Sequence, residues 1–102
     1  MPYGILLTQD IKRQIQNLPG NIKAVVRQQI ADLATNPRPP RSKELEGHSG
    51  HFRLHVATKY RLVWLILEED QIVEIEYVGP KSPDLYETLG FARPEQTPPE
   101  AG

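Results

Sequence analysis

The first 35 residues combine a short apolar run with two stretches in which apolar residues recur at helical spacing. The run YGILLT (3–8) is short and partly β-branched, which predicts a strand. Thr8 is the expected cap of a first helix, whose apolar face carries Ile11, Ile15 and Leu18. A second helix is predicted after LPG (18–20), with Asn21 as its cap and an apolar stripe formed by Ile22, Val25, Val26, Ile30 and Leu33.

Three strands are predicted after a loop over 36–50 that is rich in proline and charge. FRLHV (52–56) alternates between apolar and basic residues, while YRLVWLIL (60–67) is almost entirely apolar, as in a central strand. QIVEIEYV (71–78) alternates again, which predicts that Tyr77 shares a face with Val73 and Ile75. Short turns separate these runs, so the pattern predicts an antiparallel meander.

The predicted helical hairpin needs an apolar sheet face to cover. Phe52, Leu54 and Val56 form such a face, so Arg53 and His55 are expected on the opposite, open face. SPDLYETLG (82–90) predicts a short terminal helix, with Pro83 in the first helical position. The sequence thus predicts an α+β domain over 1–90: an N-terminal strand, two helices, a three-stranded meander in one sheet and a short helix. The tail over 91–102 contains too little apolar surface to repay its ordering, so we expect it to be disordered.

Composition indicates the cellular location of this domain and how its charge is distributed. The longest apolar run, 62–67, is far shorter than the roughly 20 residues that a membrane-spanning helix needs. The 102 residues include no cysteine, and no basic region precedes the first apolar segment, so we expect a cytoplasmic protein without membrane association. The net charge is −1, but residues 38–61 carry six lysines or arginines against two acids, together with all three histidines. The chain therefore has a basic middle and an acidic end.

Four segments resemble the RelE/ParE toxin superfamily of bacterial toxin–antitoxin systems. They are ADLATNP (31–37), KELEGHSGHFRLHV (43–56), KYRLVW (59–64) and YVGPKSPDLY (77–86). The resemblance covers roughly residues 3 to 90 and implies the element order predicted above. In the RelE branch it implies a ribosome-dependent mRNA endonuclease, an mRNA interferase that inhibits translation. Such enzymes cleave without metal or cofactor, as the ribose 2′-OH attacks the adjacent phosphate.

The resemblance also implies roles for individual residues. The candidate catalytic residues are Arg53, His55, Arg61, Lys81 and Tyr86. His55 is the expected general base, since an imidazole with an ordinary pKa near ~6.5 is largely neutral at pH 7. Arginine offers a planar fork to phosphate oxygens, lysine can assist the leaving oxygen, and tyrosine can stack on a base. The candidate contacts to RNA or the ribosome are Arg38, Arg41, Lys43 and Lys59. The implied partners are a cognate antitoxin, the ribosome and mRNA, with no small-molecule cofactor.

Other interpretations of the same residues stay open. Arg53 and His55 can form cross-strand ion pairs with Glu74 and Glu76, and a nearby carboxylate would then raise the pKa of the imidazole. His48 and His51 are three residues apart, but no cluster of carboxylates or thiolates completes a metal site, so we expect none.

Two features depart from the RelE pattern, and they keep two other functions open. The net charge is low for a ribosome-binding nuclease, and Pro80 stands where a second basic residue is usual. A ParE-like poison of DNA gyrase and an inactive relative that only binds an antitoxin are the alternatives.

Overall fold

Residues 2–81 are described by the structure, a computed structural model. Two helices, α1 (Gln9–Gln16) and α2 (Gly20–Thr35), accompany five strands: β1 (Gly4–Leu6), β2 (Lys43–Glu44), β3 (His51–Val56), β4 (Tyr60–Leu67) and β5 (Ile72–Pro80). The strand order is β1-β5-β4-β3-β2; β1 runs parallel to β5, and the other neighbours are antiparallel. The predicted α+β fold is confirmed. The helix predicted over 82–90 and the tail lie outside the described residues.

Both helices begin close to where the sequence places them. The Thr8 hydroxyl accepts a hydrogen bond from the Ile11 N–H at 3.3 Å, as predicted for the cap of α1. The prediction that Asn21 caps α2 is wrong, because Pro19 is the N-cap and its carbonyl accepts from the Lys23 N–H at 2.7 Å. Proline has a fixed φ, here −55°, and it leads directly into the first turn at Gly20. Val25, expected in the buried stripe, is 43% exposed.

The hydrophobic core lies between the two helices and one face of the sheet. It joins Ile11, Ile15, Ile22, Val26, Ile30 and Leu33 of the helices to alternate residues of β3, β4 and β5. Trp64 is fully buried, and its indole N–H donates to the Pro37 carbonyl at 3.0 Å. The opposite face of β3 carries Arg53 and His55, as predicted. Among residues 2–81, no helix has the length and apolar composition needed to cross a bilayer.

A β-bulge in β5 changes the face on which Tyr77 lies. Trp64 pairs with Ile75 and Val63 pairs with Tyr77, so Glu76 is an extra residue in β5. Because side chains alternate along a strand, one extra residue reverses the faces beyond it. Val78 is therefore buried in the core, and the prediction that Tyr77 shares a face with Ile75 is wrong. The bulge places Tyr77 on the open face.

Candidate functional site

The open face of the sheet ends in a cleft of about 1110 Å³. The turn between β3 and β4 and the last residues of β5 form its rim. Six lysine or arginine side chains and one histidine line it, and none of the lining residues is acidic. These are Arg41, Lys43, Arg53, His55, Lys59, Arg61 and Lys81, with Ala57, Thr58 and Pro80. The cleft is thus a cationic surface suited to a polyanion.

The strand register places these cations opposite one another. Lys43 of β2 pairs with Arg53 of β3, and His55 of β3 pairs with Arg61 of β4. At the end of the sheet, the Lys81 N–H donates to the Lys59 carbonyl at 2.8 Å. Like charges directly opposite on a sheet are destabilising. Lys43 and Arg53 form such a pair, and a fold that accepts this cost beside two further cleft cations favours a function for the cluster over a purely structural role.

Arg61 is 7% exposed even though it lines the cleft. Its Nη1 donates to the carbonyls of Thr58 and Tyr60, both at 2.9 Å. Nη1 has two N–H groups, so these bonds use both and leave Nη2 and Nε as the groups that can reach a phosphate. The turn that precedes β4 therefore fixes the plane of the guanidinium before any ligand binds.

This turn has an unusual backbone. Ala57 and Thr58 both have positive φ, at 49° and 68°. Residues other than glycine rarely adopt this region, and for a β-branched residue such as Thr58 it is a genuine outlier. The conformation directs the Thr58 carbonyl to Arg61, so the backbone strain lies at the cleft itself.

His55 is the titratable group at the centre of the cleft, and its pKa lies below the ordinary value for histidine. Loss of hydration in the cleft is the largest cause, although the residue is exposed, followed by the positive charges of Arg61, Arg53, Lys81 and Lys43. A neutral imidazole is therefore favoured, which is the form that can accept a proton. Arg53 lies beside it, with Nη1 at 2.6 Å from Nε2 of the imidazole.

The two acids considered as partners for Arg53 and His55 do not pair with them among the described residues. Glu76 instead pairs with His51, with 2.8 Å between Oε1 and Nδ1. His51 is the first residue of β3. The expectation that a carboxylate raises the pKa of His55 is wrong, because the charges around it are positive. Residues 2–81 contain no group of three side chains that could hold a metal ion.

A family model for the ParE toxin of type II toxin–antitoxin system, parDE, matches residues 6–85. The chain belongs to the ParE toxin family. Membership in the RelE/ParE superfamily, which the sequence resembles, is thereby confirmed. A comparison with curated protein sequences gives no significant match.

Solved structures of RelE toxins share the fold of this toxin. The RelBE2 toxin–antitoxin complex from Mycobacterium tuberculosis matches at 29% identity and a TM-score of 0.67, over 79% of this chain and 100% of that one. A mutant of Escherichia coli RelE in the free state matches at 18% identity and a TM-score of 0.72, over 85% of this chain and 93% of that one. RelE in the archaeal RelE–RelB complex from Pyrococcus horikoshii matches at 19% identity and a TM-score of 0.70, over 81% of this chain and 99% of that one.

The toxin's cleft unites most of the residues singled out from the sequence. Arg53, His55, Arg61 and Lys81 lie there, together with Arg41, Lys43 and Lys59. Arg38 lies elsewhere: it forms an ion pair with Glu68, and its guanidinium lies 5.5 Å from the centre of the Phe52 ring. Tyr86 lies outside the described residues.

Tyr77 is the residue near the cleft that sequence reasoning missed. Burial raises its pKa, so the hydroxyl stays protonated, and it donates to the Pro80 carbonyl at 2.6 Å. A Cβ at Gly79 would lie 2.8 Å from the Tyr77 hydroxyl oxygen, so glycine leaves room for the ring. The hydrogen bond to Pro80 thus holds the end of β5 in place just before Lys81. The sequence of β5 alternates regularly up to Tyr77, so it carried no signal of the bulge, which is visible only in the pairing with β4.

Proposed function

We propose that this toxin is a ribosome-dependent mRNA endonuclease that cleaves by attack of a ribose 2′-OH on the adjacent phosphate. The single observation that carries the proposal is the cleft: six cations surround one histidine of lowered pKa, with no acid among the lining residues. This reaction needs a base for the 2′-OH and positive charge around a phosphorane, and both are present in one place.

His55 accepts the 2′-OH proton and becomes an imidazolium ion. The O2′–P bond forms as the P–O5′ bond breaks, which leaves a 2′,3′-cyclic phosphate and a free 5′-OH. Arg61 and Arg53 neutralise the equatorial oxygens, because guanidinium groups form charge-assisted hydrogen bonds to phosphate. Lys81, at the rim, donates the proton that the departing O5′ takes up. Metal and cofactor have no assigned role in this scheme, since protein cations supply the charge.

Tyr86 is proposed to stack on a base next to the scissile phosphate, a contact worth about 1–3 kcal/mol in single-strand binders. Arg41, Lys43 and Lys59 are proposed to hold flanking phosphates of the message or of ribosomal RNA. A cognate antitoxin is the other proposed partner. Two of the matching RelE structures, from Mycobacterium tuberculosis and Pyrococcus horikoshii, are complexes with an antitoxin.

A gyrase poison is the second candidate, and the family match favours it, because the model that fits residues 6–85 describes a ParE toxin. In that case the cleft would contact protein or DNA rather than cleave RNA. The low net charge of −1 and Pro80 at the rim also fit this candidate.

The test is induced expression in a bacterial host, with mapping of RNA 5′ ends on translated messages and analysis of the end groups. We expect growth arrest and cuts within translated codons that carry 5′-OH and cyclic phosphate ends. His55→Gln should lower the cleavage rate by about 10²–10⁴-fold, the usual contribution of a general base.

His48→Gln is the matched control, because His48 lies in the loop before β3 and does not line the cleft. It should cleave like the wild type. Growth arrest with intact messages, and inhibition of purified gyrase that His55→Gln does not relieve, would replace the nuclease proposal with the gyrase one. Absence of arrest from a folded protein would leave an antitoxin-binding relative.

A further inference from the structure

Arg53 and His55 are two residues apart on β3, so their side chains lie on the same face. The distance of 2.6 Å between Nη1 of Arg53 and Nε2 of His55 is that of a short hydrogen bond. A guanidinium carries donors and no acceptor. The imidazole must therefore accept through the lone pair of Nε2. It follows that His55 is neutral in this arrangement and that its proton is on Nδ1.

The charges that face this pair agree with a neutral ring. Lys43 faces it from β2, Arg61 from β4 and Lys81 from the end of β5. Each of these cations lowers the pKa of His55, as does Arg53 itself. The acids on the same sheet face lie outside the cleft lining, and Glu76 is held by His51.

This hydrogen bond has a consequence for the proposed reaction. A neutral imidazole has a single basic lone pair, and in the free protein Arg53 occupies it. A ribose 2′-OH cannot lose its proton to Nε2 while the guanidinium is bound there. A phosphate is the better partner for Arg53, since a charge-assisted and bidentate contact is stronger than one to a neutral ring.

We infer that Arg53 blocks the base of the free toxin and that a substrate phosphate releases it. When a phosphodiester binds in the cleft, Arg53 leaves Nε2 for the phosphate oxygens, and Nε2 is then free to accept the 2′-OH proton. The base thus becomes available only where a phosphate is in place. The release step rests on the proposed nuclease function, whereas the assignment of the Nδ1–H form rests on the contact alone.

The experiment is nitrogen-15 NMR of the histidine rings in the full chain, at a pH above the pKa of His55. In the free wild type we expect a single tautomer, with a proton on Nδ1 and an unprotonated Nε2. Arg53→Met removes the donor and retains a long apolar side chain, and it should give averaged signals from two tautomers. Lys23→Gln on α2 removes a charge outside the cleft lining and should leave the spectrum unchanged.

A dinucleotide with a 2′-O-methyl group is the probe for release, because it carries the phosphate but cannot react. Its addition to the wild type should shift the Nε2 signal and raise the pKa of His55. In Arg53→Met, the Nε2 signal should change little when the probe binds. A proton on Nε2 in the free wild type would overturn the inference, as would a bound probe that leaves the Nε2 signal unmoved.

The two proposals fail separately. If no message is cut but the His55 tautomer changes in Arg53→Met, the nuclease function is wrong, and the hydrogen bond from Arg53 to Nε2 of His55 stands. If messages are cut but His55 has the same tautomer in the wild type and in Arg53→Met, the inference about Arg53 is wrong and the nuclease function stands.

Discussion

At the residue scale, Thr58 combines the least favourable backbone with a direct role at the cleft. Its φ of 68° is a conformation that asparagine tolerates and β-branched residues avoid. The carbonyl of the same residue orients the Arg61 guanidinium. The strain is thus the condition for placing an arginine at the cleft before any ligand binds.

Thr58→Asn should relieve the strain and keep the carbonyl in place. We expect the free energy of unfolding to increase by about 1 kcal/mol, because a single strained residue usually costs at least that much. Urea denaturation would detect this as a higher midpoint at an unchanged slope. Thr8→Asn is the matched control, because Thr8 caps α1 at an ordinary φ of −77°, where there is no strain to relieve, and asparagine caps a helix at least as well as threonine. Equal or lower stability of Thr58→Asn would mean that the strain costs nothing.

The cations around His55 set the pH range of the proposed reaction. The neutral base is active, so kcat/KM should be full above the pKa of His55 and fall as the pH drops through it. Since that pKa is lowered, the fall should lie below the ordinary histidine range. Lys43→Gln removes one of the charges that lower the pKa of His55, so the fall in kcat/KM at acid pH, the acid limb, should move to higher pH. The measurement is kcat/KM against pH on ribosome-bound message. Lys23→Gln on α2 should leave the limb where it is, and a common limb for all three proteins would show that His55 is not the titrating group.

At the element scale, α1 completes the hydrogen bonding of β5. Strand β1 pairs with β5 only from Ile72 to Glu74, so the outer edge of β5 is uncovered further along. There the Gln14 side chain of α1 accepts from the Val78 N–H at 2.8 Å. A side-chain oxygen thus satisfies one backbone N–H of this edge, where no strand is present to accept from it.

Gln14→Ala should lower the free energy of unfolding by about 1–2 kcal/mol, because a buried N–H loses its partner. The same change should accelerate hydrogen exchange at the Val78 amide more than elsewhere in β5. Gln14→Glu keeps an acceptor oxygen and should exchange like the wild type. If Val78 exchanges at the same rate in all three proteins, the helix contributes nothing to the protection of the edge.

The sequence predicts the elements that depend on periodicity and misses those that depend on pairing. Alternation in 52–56 places Arg53 and His55 correctly, and the apolar run 60–67 indicates the central strand. The bulge at Glu76 is a property of the β4–β5 register, which no single-strand pattern contains. Strand β2 is two residues long and is defined by its partner β3 alone. The contact between Arg53 and His55 could likewise be expected as proximity but not as a hydrogen bond.

At the scale of the whole molecule, the positive charges are concentrated in the cleft although the net charge is close to zero. The chain has a net charge of −1, yet the cleft lining holds six cations and no acid. Glu68 is bound to Arg38 and to the Tyr3 hydroxyl, and Glu76 is bound to His51. Local rather than net charge is therefore the quantity that governs binding of a polyanion here.

Binding of single-stranded RNA should therefore depend on salt as for a basic protein. For single strands, the logarithm of affinity falls with the logarithm of salt concentration by about 0.7 per phosphate contact. Lys59→Gln should make this slope about 0.7 less steep, whereas Lys12→Gln, on α1 and outside the cleft lining, should not change it. Titrations of a 2′-O-methyl oligonucleotide at several salt concentrations measure both. A wild-type affinity that is independent of salt would contradict RNA binding in the cleft.

Trp64 is the single tryptophan of the chain, and it gives the molecule a built-in optical probe. It lies in the core, stacked on Phe52 with 6.1 Å between ring centres, on the side of the sheet away from the cleft. Its fluorescence emission should change when the protein unfolds and remain constant when a ligand binds in the cleft. Two events on opposite faces of one sheet can thus be recorded separately in the unlabelled protein. A cleft variant that loses activity while its emission spectrum is unchanged has lost chemistry and kept its fold.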